Sequence, residues 1–151
     1  MKLSTKGRYG LRAMIDLAIH SKTEAVSIAS IAARQKISES YLEQLIPKLR
    51  KAGMISSVRG AGGGYMLAKP AEEISVGDIL RALEGNLDPV DCAGLPGAGG
   101  CEESGSCVTK YVWQRINESI NRTVDGIYLK ELLEESECEE NRAGGTGVCK
   151  K

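Results

Sequence analysis

The stretch SIASIAARQKISESYLEQLIPKLRKAG, residues 27–53, contains two helical patterns separated by a very short turn. Ser27 is a suitable N-cap for the first helix, because its hydroxyl can accept hydrogen bonds from the free amides of the first turn. Ser38 can cap the second helix in the same way, and Gly53 can end it in the left-handed conformation. Two helices joined so closely are typical of a helix-turn-helix unit.

The second of these helices has one apolar and one polar face. Its apolar residues recur at intervals of three, four and seven, and they are Tyr41, Leu42, Leu45, Ile46 and Leu49. Pro47 removes one backbone hydrogen bond, but the periodicity continues past it. The polar face carries Ser40, Glu43, Gln44 and Lys48. In a helix-turn-helix unit these residues would enter the major groove, where Gln suits adenine and Glu can accept from cytosine. An ordinary solvent-exposed face would have a similar composition.

A predicted β-hairpin follows this unit. Residues 54–58 and 65–67 favour short strands, and the glycine-rich segment 59–64 favours the turn between them. A hairpin in this position is the wing of a winged helix. Arg59 at its tip, next to Gly60, could enter a narrow minor groove. A Walker-type phosphate loop is a weaker interpretation, because that loop requires Lys-Ser or Lys-Thr and a following helix.

Further helices are predicted on both sides of this unit. A first helix spans about residues 7–20, and Ser75 can cap another over 76–84. A long helix is expected over 108–124, with an apolar stripe of Val112, Ile116, Ile120 and Val124. This stripe could form a dimer interface or pack on its own domain. A last short helix begins near Tyr128.

The chain has 151 residues and no net charge, but its two halves differ. Residues 1–69 carry 12 basic and 4 acidic side chains, a balance of +8, and residues 70–151 carry 8 and 16, a balance of −8. The basic half indicates a nucleic-acid partner, although chance segregation on two solvated faces would look the same. No apolar run approaches the roughly 18 residues of a membrane span, and the first residues do not resemble a secretion signal. We therefore expect no membrane association and a cytoplasmic location.

We predict four segments and a mainly α fold, a winged helix-turn-helix with a small β-hairpin wing plus a long dimerisation helix. The segments are a DNA-binding domain over 1–85, a cysteine loop over 86–107, the dimerisation helix and a short helix over 108–136, and a disordered tail over 137–151.

Three of the five cysteines lie in a glycine-rich loop with the pattern Cys-x8-Cys-x5-Cys, at Cys92, Cys101 and Cys107. In a reducing cytosol, metal binding or redox chemistry is more common than structural disulfides. The spacings fit compact zinc sites poorly, because those use pairs two to four residues apart. They are better suited to a loop around an iron–sulfur cluster.

Taken together, these motifs resemble the IscR-type regulators, the iron–sulfur cluster branch of the Rrf2 family. The resemblance covers about residues 1–136 and rests on segments 3–9, 37–45 and 57–65 together with the three loop cysteines. It implies a homodimeric transcription factor that reads a palindromic promoter in double-stranded DNA and carries a cluster, commonly 2Fe–2S. With the residues above, it predicts DNA contacts from Ser38, Ser40, Tyr41, Glu43, Gln44, Lys48, Arg59 and Gly60.

The fourth cluster ligand departs from the family pattern. IscR-type proteins have a histidine three residues after the third cysteine, where this chain has Lys110. Some relatives use a carboxylate from the partner's first helix, but the corresponding positions here are Arg8 and Arg12. The remaining candidates are an exogenous thiol and Cys138, Cys149, Glu43, Asp91, Glu102 and Glu103.

These observations predict a regulator whose promoter binding is switched by the cluster and which controls iron–sulfur cluster assembly genes. A regulator that responds to nitric oxide, redox state or cysteine is the alternative within the family. An iron–sulfur carrier or electron-transfer protein is the alternative outside it, but would not need Arg59 or the basic half. We do not expect an enzyme, because no nucleophile–base pair can be assembled around His20, the single histidine.

Overall fold

The computed structural model describes residues 3–91 and 105–145. The helices in these ranges are α1 (Thr5–His20), α2 (Ile28–Gln35), α3 (Glu39–Lys51), α4 (Val76–Glu84), α5 (Lys110–Asp125) and α6 (Leu129–Ala143). The strands β1 (Ile55–Val58) and β2 (Gly64–Leu67) form an antiparallel hairpin, and a 3-10 turn at Ala71–Glu73 precedes α4. This order confirms the mainly α winged-helix fold. No helix in the described ranges is long and apolar enough to span a membrane.

Serine side chains cap the first four helices. The hydroxyls of Ser27, Ser38 and Ser75 accept backbone amides in the first turns of α2, α3 and α4, as predicted. Ser4 does the same for α1, which therefore begins two residues before its predicted start. Pro47 lies inside α3 without ending it.

One hydrophobic core joins α1, α2, α3, α4 and α6. Its fully buried side chains include Met14, Leu17, Ile31, Leu42, Leu45, Leu49, Ile79 and Leu129. α1 and α4 approach so closely at Gly10 that an added Cβ would lie 2.0 Å from Cδ1 of Leu83. Because Leu129 begins α6, a helix from the acidic half completes the core of the winged helix.

The two ends of α5 have different surroundings. Ile120 and Val124 pack against a small apolar cluster formed by Val76, Leu80 and Leu87. At the other end Tyr111 and Val112 are 60 % and 51 % exposed. Of the two interpretations of the stripe, packing on its own domain therefore holds for the C-terminal half of the helix.

The last helix is longer than predicted. We predicted a disordered tail over 137–151, but α6 continues to Ala143. Composition suggested disorder, yet Glu, Leu and Arg are good helix formers. Arg142 also pairs with Glu139 one turn earlier, at 3.0 Å. The part of the predicted tail beyond residue 145 lies outside the described residues.

Candidate nucleic-acid interface

Helix α3 presents a polar surface to solvent. Its exposed polar side chains include Ser38, Ser40, Glu43, Gln44 and Lys48. Ser38 also caps the helix, since its Oγ accepts from the amide of Tyr41 at 3.3 Å. Within residues 3–91 and 105–145, no ion pair involves Glu43 or Lys48. Their charged groups therefore face solvent.

Tyr41 connects the start of α3 to α1. Its hydroxyl lies 2.9 Å from Thr5 Oγ1, and its ring meets the Tyr9 ring edge to face with 5.8 Å between centroids. The Arg12 guanidinium lies over the Tyr9 ring, 5.6 Å from its centroid. The structure shows that Tyr41 holds α3 against α1, whereas its contact with DNA stays a prediction. The contacts of Thr5 and Tyr9 with Tyr41 were not predicted, because pairs so far apart along the chain, 36 positions for Thr5, leave no local signal.

The wing is attached to the segment before α2. Val26 donates its amide to the Tyr65 carbonyl at 2.9 Å, and Tyr65 donates to the Val26 carbonyl at 2.8 Å. In the register of β1 and β2, Ile55 lies opposite Leu67 and Val58 lies opposite Gly64. Arg59 follows β1 in this turn and is exposed. The hairpin therefore presents Arg59 from a base that is joined to the helix-turn-helix unit.

Replacing Gly64 by alanine should displace the wing. An added Cβ would lie 2.4 Å from the Val26 carbonyl oxygen and 2.9 Å from the Ser27 amide nitrogen. Because backbone atoms cannot yield as a flexible side chain can, we expect the free energy of unfolding to fall by about 2 kcal/mol in urea titrations. Gly62→Ala is the matched control, since no atom lies within 4 Å of its added Cβ, and it should remain within about 0.5 kcal/mol of the parent. Equal stability of the two variants would show that the Val26 contact does not hold the wing.

A buried carboxylate fixes α2 to α1. Asp16, 1 % exposed, accepts from Arg34 Nη2 at 2.7 Å, from Arg34 Nε at 2.9 Å and from Gln35 Nε2 at 2.9 Å. Burial alone would raise the pKa of this carboxyl, but the hydrogen bonds from Arg34 and Gln35 bring it below the usual value. Because α2 packs on α3, this network also positions α3.

Cys107 lies just before α5 and is half-buried. Its Sγ is 3.1 Å from Thr109 Oγ1. The Thr109 hydroxyl and the Lys110 backbone amide lower the pKa of the Cys107 thiol. This favours the thiolate, which is the form that binds metals.

The other candidate ligands are dispersed or lie outside the described residues. Glu43 is exposed on α3 and Asp91 is exposed after α4. Cys138 is half-buried on α6 and disulfide-bonded, so it could bind a metal only after reduction. The candidates outside the described residues are Cys92, Cys101, Glu102, Glu103 and Cys149. Within residues 3–91 and 105–145, no three Cys, His, Asp or Glu side chains form a group that could hold a metal ion. The identity of the fourth ligand stays a prediction.

Comparisons with known proteins agree with this geometry. Residues 3–135 match the Rrf2 family, described as iron-dependent transcriptional regulators. The chain is 44 % identical over 137 residues to the HTH-type transcriptional regulator IscR of Klebsiella pneumoniae strain 342, covering 91 % of this chain and 82 % of that protein. Among solved structures it is similar to T. potens IscR, with 46 % identity, a TM-score of 0.72 and coverage of 90 % and 88 %. It is also similar to CymR, the global cysteine regulator of B. subtilis, with 39 % identity, a TM-score of 0.76 and coverage of 89 % and 98 %.

Proposed function

Because the chain belongs to the Rrf2 family of transcriptional regulators, we propose that it is a homodimer whose promoter binding changes with an iron–sulfur cluster and which controls iron–sulfur cluster assembly genes. DNA binding and transcriptional regulation follow from the family and the winged helix. The observation that carries the cluster proposal is the position of Cys107 just before α5, with a thiol whose pKa lies below its usual value.

DNA recognition would use α3 and the wing together. Glu43 and Gln44 are assigned to base edges in the major groove, because their side chains can pair with cytosine and adenine. Lys48 and the hydroxyls of α3 would contact bases or phosphates nearby, and Tyr41 would add a contact from the start of the helix. Arg59 and Gly60 at the wing turn would meet the minor groove, where a narrow groove concentrates negative potential.

The homodimer would form through the exposed end of α5. Large apolar side chains at this end are 37–77 % exposed, and they are Val108, Tyr111, Val112 and Ile116. Several exposed apolar side chains near one end of a helix are typical of an interface, and two-fold symmetry would pair this end with itself. Such a dimer would place two α3 helices on a palindrome whose half-sites are about one DNA turn apart.

Cys92, Cys101 and Cys107 would hold the cluster, assigned as 2Fe–2S, with the fourth ligand among the candidates named above. Of these three cysteines the structure describes Cys107. Its chemistry fits this role, because thiolates are the usual ligands of such clusters and its pKa is lowered. Lys110 occupies the family's histidine position, and a protonated lysine has no lone pair for iron. A bound iron–sulfur cluster would supply a redox-active centre whose reduction potential depends on its surroundings. A ligated Cys107 would constrain the first turn of α5, and so the helix through which the dimer forms.

Arg59→Ala tests the DNA-binding part of the proposal. We expect about tenfold weaker binding to a palindrome selected by the wild-type protein, and a slope of log K against log salt that is smaller by about one. Arg122→Ala on α5 is the matched control, because Arg122 is exposed and away from the proposed contacts. Titrations by fluorescence anisotropy at several salt concentrations measure both quantities. An unchanged affinity would remove the wing from the DNA interface.

A redox- or cysteine-responsive regulator is the second candidate function. It is favoured by the similarity to the cysteine regulator CymR and by the lowered pKa of Cys107, since thiolates oxidise more readily than thiols. Anaerobic reconstitution followed by Mössbauer spectroscopy separates the two candidates. Bound iron in a cluster would support the first, whereas thiols that oxidise without binding iron would support the second.

A further inference from the structure

Arg81 joins the DNA-binding domain to α5 through three hydrogen bonds. Nη1 donates to Asp125 Oδ1 at 2.7 Å, and Nη2 donates to Asp125 Oδ2 at 2.9 Å and to Asn121 Oδ1 at 2.6 Å. Asn121 in turn donates to the carbonyl and side-chain oxygens of Asn117, both at 2.9 Å. The planar guanidinium thus binds two successive turns of α5 in one fixed orientation.

We propose that Arg81 is a positioning residue that sets the angle of α5 against the DNA-binding domain, and so determines which half-site spacing the dimer accepts. This inference rests on the proposed function, because it requires a dimer formed through α5 on palindromic DNA.

The α4 side of this contact is rigidly held. Glu84, one turn after Arg81, accepts from the Ser4 amide at 3.0 Å, the Ser4 hydroxyl at 2.6 Å and the Gly7 amide at 3.0 Å. These bonds and the close approach at Gly10 fix α4 to α1. A change at Arg81 would therefore move α5 rather than α4.

The α5 side of the contact is packed near its C-terminal end. Gly77 of α4 lies so close that an added Cβ would be 2.0 Å from Asp125 Oδ1, and the apolar cluster of Val76, Leu80 and Leu87 lies beside it. At the other end of the helix, Tyr111 and Val112 are exposed. The DNA-binding domain therefore contacts α5 near its C-terminal end, and the proposed dimer contacts lie at the other end.

The length of α5 makes this angle important. Its 16 residues span about 24 Å, so a tilt of about 10° at the Arg81 end moves the other end by about 4 Å. That displacement is comparable with the roughly 3.4 Å rise of one base pair. A loosened Arg81 contact would therefore let the dimer accept spacings that the wild-type dimer rejects.

Arg81→Lys and Asp125→Asn test this inference in the full-length protein. Lysine keeps the charge but cannot contact two acceptors with a planar fork, and asparagine keeps the shape but loses the charge. The probes are a palindrome selected by the wild-type dimer, the same palindrome with one or two base pairs inserted or removed between half-sites, and a single half-site. Arg122→Lys is the matched control, since Arg122 is an exposed arginine on the same helix.

We expect the preference for the selected spacing to fall by at least about threefold in both variants, with half-site affinity within about twofold of wild type. Arg122→Lys should keep the wild-type preference. An unchanged spacing preference in both variants would overturn the inference. So would an equal loss of affinity for every probe including the half-site, because Arg81 would then support the DNA-binding domain itself.

Hydrogen exchange gives a second readout that does not depend on DNA. In Arg81→Lys, the amides of residues 117–127 should exchange at least about threefold faster than in wild type and in Arg122→Lys. Unchanged exchange would show that Arg81 does not hold α5. If wild-type protein preferred no palindrome over random DNA, the proposed function would fail, and the exchange result would still decide whether Arg81 fixes the helix.

Discussion

Asp16→Ala is expected to lower the free energy of unfolding by about 3 kcal/mol. The substitution removes a carboxylate that is 1 % exposed and leaves the donors of Arg34 and Gln35 without their acceptor. Arg34 is 35 % exposed, so water can replace part of the hydrogen bonding that its guanidinium loses. The loss of unfolding free energy therefore lies at the lower end of the range for a broken buried pair. Urea titrations followed by far-ultraviolet circular dichroism measure the loss.

Glu24→Ala is the matched control for this prediction. Glu24 is exposed in the segment between α1 and α2, and its replacement should change the free energy of unfolding by less than about 0.5 kcal/mol. DNA affinity should fall with Asp16→Ala even where the protein remains folded, because the network positions α2 and thereby α3. A variant as stable as the Glu24 control would mean that the Asp16 network contributes little to the fold.

The pH dependence of this effect has a definite sign. The hydrogen bonds give Asp16 a lower pKa in the folded than in the unfolded chain. Its stabilisation is therefore complete above the unfolded pKa and is lost as the pH falls through the folded one. The difference in unfolding free energy between wild type and Asp16→Ala should therefore narrow as the pH falls below about 4. A difference that widens below about pH 4 would contradict this assignment.

The predictable part of this fold depends on neighbours in sequence. A serine cap acts on amides two or three residues away, so Ser27, Ser38 and Ser75 could be assigned from local sequence. The hairpin was predictable for the same reason, since glycines separate two short apolar runs. The exposed polar face of α3 followed from its periodicity.

The contacts that position these elements could not be predicted, because they join distant residues. Asp16 and Arg34 are 18 positions apart, and Arg81 and Asp125 are 44 apart. In sequence each is an ordinary charged residue on a helix. Periodicity likewise defines an apolar face but not what covers it. The stripe on α5 therefore packs against its own domain at Val124 and is exposed at Val112.

Cys107→Ser is expected to lower the iron bound after anaerobic reconstitution by at least about tenfold, because a serine hydroxyl stays protonated and is a poor replacement for a thiolate ligand. The fold should survive, since Cys107 is half-buried at the start of α5 and outside the main core. Iron content, the visible absorption spectrum and circular dichroism measure the two effects separately. A variant that bound as much iron as wild type would exclude Cys107 as a ligand.

Thr109→Val distinguishes thiolate stabilisation from simple ligation. It keeps the Cys107 sulfur but removes the hydroxyl that lies 3.1 Å from it and lowers its pKa. Cluster uptake should then require a higher pH than in wild type, while the amount bound at high pH stays the same.

Cys138→Ser and Cys149→Ser, made one at a time, complete the series. If one of them matches the iron loss of Cys107→Ser, that cysteine is the fourth ligand, and if neither does, the ligand is a carboxylate or an exogenous thiol.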